Sequence, residues 1–281
     1  MKKLLIDIGG THLRSRLHGA GNTLSEIVSS QHQGLMGYID QKMGEHPDID
    51  FIGISYAGQV SDGVILSAPN IEVDEHSIKE AVASRYGIRL EIDNDLNCAV
   101  LAEADYWGST SVAALYVGTG IGAAVIDQGR LVRGSRNLSF ELGHIPYRTA
   151  PFLCGCGRNN CIELFASGSG MDKWVDYYGS GHTGDLEGLK SSSVEDERRI
   201  AEAFETALLH AAGTLVTLAN PELLVLGGGI ITQNPYVVER LHKHLGEFTL
   251  RASLETVRIE MSRLDNGPLE GARLLEKRNY E

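Results

Sequence analysis

The chain has 281 residues, with 25 Lys and Arg against 37 Asp and Glu, a formal net charge of −12. Hydrophobic residues make up 42% and charged residues 22%, so there is ample material for a core and disorder throughout is excluded. The acidic balance repels phosphate backbones and argues against nucleic acid as a partner. No apolar run approaches the ~18–20 residues that cross a bilayer, so no membrane partner is expected. Asp7 interrupts the N-terminal apolar run; no signal peptide is expected, and a cytoplasmic location is the simplest reading.

Taken in chain order, residues 2–8 read as a buried strand running into Gly9-Gly10-Thr11, followed by strands over 12–18 and 24–31. A short helix over 35–44 precedes a strand over 51–56 and a helix over 77–86. A strand over 90–93 leads to Asn94-Asp95, which opens a helix over 96–107. The pattern then restarts: a strand over 112–117 runs into Gly118-Thr119-Gly120-Ile121-Gly122, and residues 123–127 and 130–133 read as a hairpin about Gln128-Gly129. Residues 4–19 and 115–129 thus share a strand, a Gly/Thr turn and a second strand, a degenerate internal duplication. The domain boundary is placed near Gly108-Ser109. Further on come a helix over 168–178, an exposed Gly/Ser-rich loop over 178–193, and the clearest long helix over 195–219. A strand over 223–226 runs into Gly227-Gly228-Gly229, followed by a helix over 235–245, a strand over 256–261 and a last helix over 269–277. Alternating strands and helices indicate α/β architecture.

Three groups of residues carry chemistry. The glycine turns at Gly9–Thr11, Gly118–Gly122 and Gly227–Gly229 let backbone amides approach an anion, and two of them add a threonine hydroxyl. Asp7 beside the first could hold Mg²⁺ through water. One such turn is an ordinary tight turn; three suggest a nucleotide site. Neither a Walker motif nor GxGxxG is present. The second group is His144, Cys154, Cys156 and Cys161, a Cys₃His set of the kind that closes a structural zinc site, while Cys98 reads as a small core residue. Four protein ligands leave zinc no open position for water, so a zinc hydrolase is disfavoured. The third group is acidic: Asn94 and Asp95 at a strand end, and Glu141 and Glu163 flanking the cysteines. Such carboxylates suit a polyhydroxylated ligand. Read alone, Asp95 is also a helix cap.

Together these residues resemble the ROK family of sugar kinases and related repressors. Asp7–Thr11 and Gly118–Gly122 look like its phosphate loops, Glu141-Leu142-Gly143-His144 matches ExGH, and Cys154–Glu163 matches its cysteine signature. Leu226–Gly229 looks like the adenosine-side turn. The resemblance implies a two-lobed actin/hexokinase-like (ribonuclease H-like) fold with an interlobe cleft. Residues 1–108 and the C-terminal helix (267–281) would form one lobe and 109–266 the other. It implies ATP and Mg²⁺ at Asp7, Gly9, Gly10, Thr11, Gly118, Thr119, Gly120, Gly227, Gly228 and Gly229, with structural Zn²⁺ on the Cys₃His set. Asp95 would be the general base. Gly58, Asn94, Asp95, Glu141, His144 and Glu163 would bind the sugar. It further implies a homodimer acting on glucose, with N-acetylhexosamines or fructose as alternatives; a non-catalytic sugar-binding regulator is the reading from another class. The chain begins at the first phosphate strand, so no N-terminal DNA-binding domain is expected. The sequence departs from the family at His12, where lysine is frequent, at Ala57 before Gly58, and over 70–76. It also departs at Asn160, which replaces a glycine and which a left-handed backbone would tolerate.

Overall fold

The structure is a computed structural model and describes residues 2–19, 23–30, 34–68, 71–181 and 185–277. Gln31 of the expected third strand and Asn70 of the divergent segment lie outside these ranges. The chain divides into two units. The first is Met1–Trp107, Arg130–Ser139 and Leu264–Glu281; the second is Gly108–Gly129 and Phe140–Arg263.

In the first unit the chain order is β1 (Lys2–Ile8), β2 (His12–His18), β3 (Thr23–Ser29), α1 (Leu35–Glu45), β4 (Ile49–Tyr56), β5 (Gln59–Ser61), β6 (Val64–Ser67), α2 (Ile78–Tyr86), β7 (Arg89–Asn94) and α3 (Asp95–Trp107). The sheet is ordered β3-β2-β1-β4-β7. The β1–β2–β3 pairings are antiparallel, whereas β1, β4 and β7 run parallel. From Leu4 onward β1 is buried on both faces, as a strand between two packed layers must be. Leu4, Ile6 and Ile8 join Ile52 and Ile54 of β4 and Ile39, Ile78 and Val82 of α1 and α2 in one core. Leu5 and Phe51 face the other way and meet Leu269.

The chain continues through β8 (Val112–Val117), β9 (Ile121–Asp127) and β10 (Arg130–Leu131) to α4 (Gly168–Tyr178), α5 (Leu186–Ser191), α6 (Glu195–Ala219) and β11 (Leu223–Gly227). There follow α7 (Gly229–Gln233), α8 (Tyr236–His244), α9 (Arg251–Leu254), β12 (Arg258–Met261) and α10 (Gly267–Leu274). Here β8 and β9 form an antiparallel hairpin, while β8, β11 and β12 run parallel. The duplication read from the sequence is thus a repeated plan: a hairpin, then two parallel strands added to its first strand. Helix α10 returns to the first unit and lies on α3 so closely that a Cβ on Gly271 would sit 1.8 Å from the Cys98 carbonyl oxygen.

Three elements depart from the expectations. The β5–β6 hairpin fills the stretch between the strand over 51–56 and the helix over 77–86, to which no element is assigned from the sequence. It turns on Asp62 and Gly63, both at positive φ (50° and 81°), the signature of a type I′ turn. Helix α5 stands inside the stretch expected to be irregular, because Asp185 caps it by accepting from the amides of Glu187 and Gly188. Asn160 is not among the described residues with positive φ; the left-handed position in that loop is Gly157, at 86°.

Candidate active site

In α/β sheets ligands gather at the carboxyl ends of parallel strands. At those ends of β1, β4 and β7 the register aligns Asp7 with Ser55, and Ser55 with Asp93. The Ser55 hydroxyl donates to Asp7 Oδ1 at 3.0 Å, and Asn266 Nδ2, at the cap of α10, donates to Oδ2 at 3.2 Å. Burial raises the Asp7 carboxyl above its ordinary range; these two bonds and the charge of Arg14 pull against it. Arg14 lies directly across the β1–β2 hairpin from Asp7, with Nη1 3.9 Å from Oδ2. The turn between them, Gly9–Thr11, is closed by the Gly9 amide donating to the His12 carbonyl at 2.9 Å.

The cap of α3 is Asn94. Its Oδ1 accepts from the amides of Leu96 (2.9 Å) and Asn97 (3.4 Å), and its Nδ2 donates to the Gly58 carbonyl at 3.1 Å. Gly58 is fixed as glycine by the β5–β6 hairpin, since a Cβ would fall 2.5 Å from the Ser67 carbonyl oxygen. Asp95 is therefore the first helical residue rather than the cap, and its Oδ1 accepts from the Leu96 amide at 2.9 Å. Burial first, and the charge of Asp7 second, push its carboxyl up to about 7. That value matches a group that must take a proton near neutral pH.

A buried polar lattice lies under this turn. Asp93, 2% exposed, accepts from Asn97 Nδ2 at 2.8 Å, from Asn137 Nδ2 at 2.9 Å and from the guanidinium of Arg133. Asn137 Nδ2 also donates to the Val60 carbonyl at 2.8 Å. The lattice thus joins Asn94's neighbour on β7 to the hairpin that presents Gly58. Sequence reasoning missed Arg133 and Asn137. They lie about forty positions from Asp93 with no local motif; the one trace is an Asn left-handed at φ 57°.

In the second unit the turn Gly118–Gly120 is closed by the Gly118 amide on the Gly120 carbonyl at 2.9 Å. The start of α4 holds it in place: the amides of Gly168 and Ser169 donate to the carbonyls of Gly118 and Thr119. Beside it, at the end of β11, Gly228 adopts φ 90°, and a Cβ there would lie 2.4 Å from the Val117 carbonyl oxygen. No other residue fits so tight a cradle. Glu163 lies against the same turn, its Oε2 2.9 Å from the position of a Cβ on Gly120. Glu141 sits one short turn before His144. Burial raises its carboxyl, His144 opposes the shift and Glu163 adds to it, so these three side chains share one field. The residue before Glu141 is Phe140, an aromatic held at φ 59°, a strained conformation of the kind that collects at functional sites.

The ligand atoms of His144, Cys154, Cys156 and Cys161 all lie within 4.8 Å of one another. Cys154 Sγ is 3.6 Å from His144 Nδ1, and Cys156 Sγ is 3.4 Å from Cys161 Sγ. A tetrahedral zinc with sulfur at about 2.3 Å separates its sulfurs by about 3.8 Å, so the set fits that ion. Backbone bonds lace the two ligand segments together, with the Ile162 amide on the Ile145 carbonyl and the Tyr147 amide on that of Asn160, while the Cys154 amide on the Arg158 carbonyl closes the cysteine loop itself. Hydrogen bonds from Arg158 pull the Cys156 thiol down to about 6, and burial pushes Cys154 up. The Cys154 thiol points at Glu163 Oε1, 3.3 Å away, so the cluster also positions an acidic residue. Of the residues singled out in the sequence, Asp7, Gly58, Asn94 and Asp95 gather at the strand ends of the first unit. Thr119, Gly120, Glu141, His144, Glu163 and Gly227–Gly229 belong to the second.

No helix among the described residues is long and apolar enough to cross a membrane. The model of the ROK family matches residues 4–279. The chain is 30% identical to an N-acetyl-D-glucosamine kinase of Yersinia enterocolitica over 240 residues, covering 80% of this chain and 78% of that one. It is 25% identical to a glucokinase of Thermotoga maritima, covering 99% and 98%. The crystal structure of a ROK hexokinase from Thermus thermophilus superposes with a TM-score of 0.80 at 25% identity, covering 98% of this chain and 97% of that one. The chain belongs to the ROK family, and its fold is the actin/hexokinase-like one. Within that family it is a sugar kinase, an ATP-dependent phosphotransferase.

Proposed function

We propose that the protein phosphorylates a hydroxyl of a hexose of gluco configuration, with Asp95 as the general base. The observation that carries this reading is Asp95 itself, a carboxyl pushed up to about 7 at the mouth of the strand ends, relieved of cap duty by Asn94. Phosphoryl transfer asks a protein chiefly for positioning and charge stabilisation. Asp95 orients the sugar hydroxyl and accepts its proton as the P–O bond forms. Asn94, Gly58, Glu141, His144 and Glu163 take the remaining hydroxyls. Mg·ATP supplies the phosphoryl group; Asp7 would hold the Mg²⁺ through water, and Gly9, Gly10, Thr11, Gly118, Thr119 and Gly120 would hold the phosphates. Gly227–Gly229 would line the adenosine side, a role that the tight cradle at Gly228 supports. Zinc on His144, Cys154, Cys156 and Cys161 is structural and sets the places of His144 and Glu163.

Glucose is the first substrate we assign. N-acetylglucosamine is the second reading, favoured by the kinase of that sugar at 30% identity. The two sugars differ only at C2. We place the enzyme in the cytoplasm, where thiols stay reduced for zinc, as a homodimer. Sugar-dependent ADP release across glucose, N-acetylglucosamine, N-acetylmannosamine, mannose and fructose tests the reading. Turnover with glucose or N-acetylglucosamine, lost in Asp95→Asn, supports it. Sugar binding without ADP release in zinc-loaded protein would overturn it in favour of a regulator.

A further inference from the structure

The first glycine turn carries no lysine; its next residue is His12. The hairpin nevertheless brings a cation to it. Arg14 is the direct cross-strand partner of Asp7, and strand alternation places its side chain on the face opposite the buried Leu13 and Ser15. That is the face on which Asn266 reaches Asp7. The Arg14 side chain is 44% exposed, and its contact with Asp7 Oδ2 is 3.9 Å, beyond hydrogen-bond length. Its neighbour on the same face, Arg16, is by contrast committed to Glu270 of α10. Arg14 thus has its charge anchored near the turn and, among the described residues, reaches Asp7 at ion-pair distance without a hydrogen bond to it, which leaves its guanidinium fork open to an anion. The local balance calls for a cation. The charge of Asp7 adds to the cost of ionising Asp95 at these strand ends, and any phosphate arriving there adds negative charge. A guanidinium in this position is suited to bind two phosphate oxygens at once.

We infer that Arg14 is a phosphate ligand, contacting the outer phosphates of the bound nucleotide at the Gly9–Thr11 turn. This rests on the kinase reading above. Its logic is charge stabilisation: Asp7 would hold the Mg²⁺ that accompanies the nucleotide, and Arg14 would meet the phosphate directly, so one hairpin would supply both kinds of positive partner.

The test is equilibrium binding, by calorimetry, of a non-hydrolysable ATP analogue and of AMP to wild type, Arg14→Gln and Arg14→Lys, each with Mg²⁺ and with EDTA. Loss of a charge-assisted bond to phosphate should weaken the ATP analogue roughly tenfold to a hundredfold in Arg14→Gln, with AMP unchanged. Arg14→Lys should recover part of the loss. The weakening should persist in EDTA, because the contact does not run through the metal. Thermal unfolding should be unaltered, since the side chain is half exposed. Equal binding of the analogue by wild type and Arg14→Gln would overturn the assignment. So would equal weakening of AMP and the analogue, or a weakening confined to Mg²⁺, which would make Arg14 only an electrostatic neighbour of Asp7. If wild type binds neither nucleotide with or without sugar, the kinase reading fails and this inference falls with it. If wild type binds and phosphorylates normally, only the role of Arg14 is at stake.

Discussion

At the penultimate position of β1 stands Asp7; at the same position of β8 stands Tyr116. Asp7 is in register with Ser55 of β4, and Tyr116 with Gly227 of β11. One row is bound together by a serine donating to a carboxylate. In the other, the ring of Tyr116 lies under a glycine whose Cβ would touch it at 2.5 Å, and its hydroxyl reaches Ser262 at 3.4 Å. The same hairpin-and-parallel-strand plan therefore ends in charge in one unit and in close backbone packing in the other. The supports differ in kind as well. Under the first row the buried Asp93 carboxylate is held by the half-buried guanidinium of Arg133 and the amides of Asn97 and Asn137. In the second unit Glu163 is held by a thiol of the His/Cys cluster, and Glu141 shares its electrostatic field. A duplicated fold can thus divide the work: one copy carries the carboxyl raised to about 7, which we propose as the base, and the other supplies shape.

The largest effect should come from removing that base. Asp95→Asn is expected to lower kcat by about 10²–10⁴-fold, with the sugar KM changed only a few-fold. In the wild type, kcat/KM should climb tenfold per pH unit below about 7, where Asp95 is protonated, and level off above it. Steady-state ADP release across the acid and neutral range measures both. A variant that keeps half its activity, or a flat profile, would remove Asp95 from its role and with it the contrast between the units.

The next effect separates the two supports. Stripping zinc, or Cys161→Ser, should raise the sugar KM by about 10–100-fold, the usual cost of disturbing a metal-held set. It should also release amide exchange over 145–162 while β1, β4 and β7 keep their protection. Metal content fixes the state of the sample. Unchanged exchange in zinc-free protein would show that the backbone lacing alone holds Glu163 and His144. In the first unit the matching lesion is Arg133→Ala, which strands the buried Asp93 carboxylate. Removing one partner of a buried pair costs about 3–5 kcal/mol; with Arg133 partly exposed and two amides still donating to Asp93, about 1–3 kcal/mol is expected, read from urea unfolding. Arg133→Ala combined with Asp93→Asn should recover part of it. A loss equal in the single and double variants would mean that the pair is not the support.

How far these regions were legible in the sequence follows from the range of the interactions. The glycine turns, the ExGH run and the cysteine cluster are local patterns, and the structure gathers the Cys₃His set as spacing suggests. The long helix over 195–219 was readable from its apolar period alone, and its bounds hold. The β5–β6 hairpin was missed although Asp62-Gly63 is a strong turn signal, because both strands are short. Arg133 and Asn137 could not be read: their partner is Asp93, and nothing in the run from Gly134 to Ser139 distinguishes a lattice from a loop. The capping choice between Asn94 and Asp95 was equally closed to the sequence, since both residue types cap and only the backbone decides which one is helical.

The smallest expected effect is also the one with the least intuitive sign. Asp95 is raised from the ordinary 3.8 to about 7, so the folded protein holds a proton that the unfolded chain releases. Stability from this group is fully present below the unfolded value and is lost as pH rises towards and through the folded one. At neutral and alkaline pH the wild type therefore carries a partly buried carboxylate beside Asp7 at a net cost. Asp95→Asn keeps an acceptor for the Leu96 amide and removes the charge. The inactive variant should accordingly melt higher than wild type at about pH 8.5, by about 2–4 °C, with the difference shrinking towards zero near pH 4. Melting curves of both proteins at several pH values, followed at a wavelength that sees both units, test this. A difference that is the same at every pH would mean that Asp95 is ionised as easily in the folded chain as in the unfolded one. The charged row of the first unit would then stabilise the fold as the Tyr116 row does, with no cost set aside for catalysis.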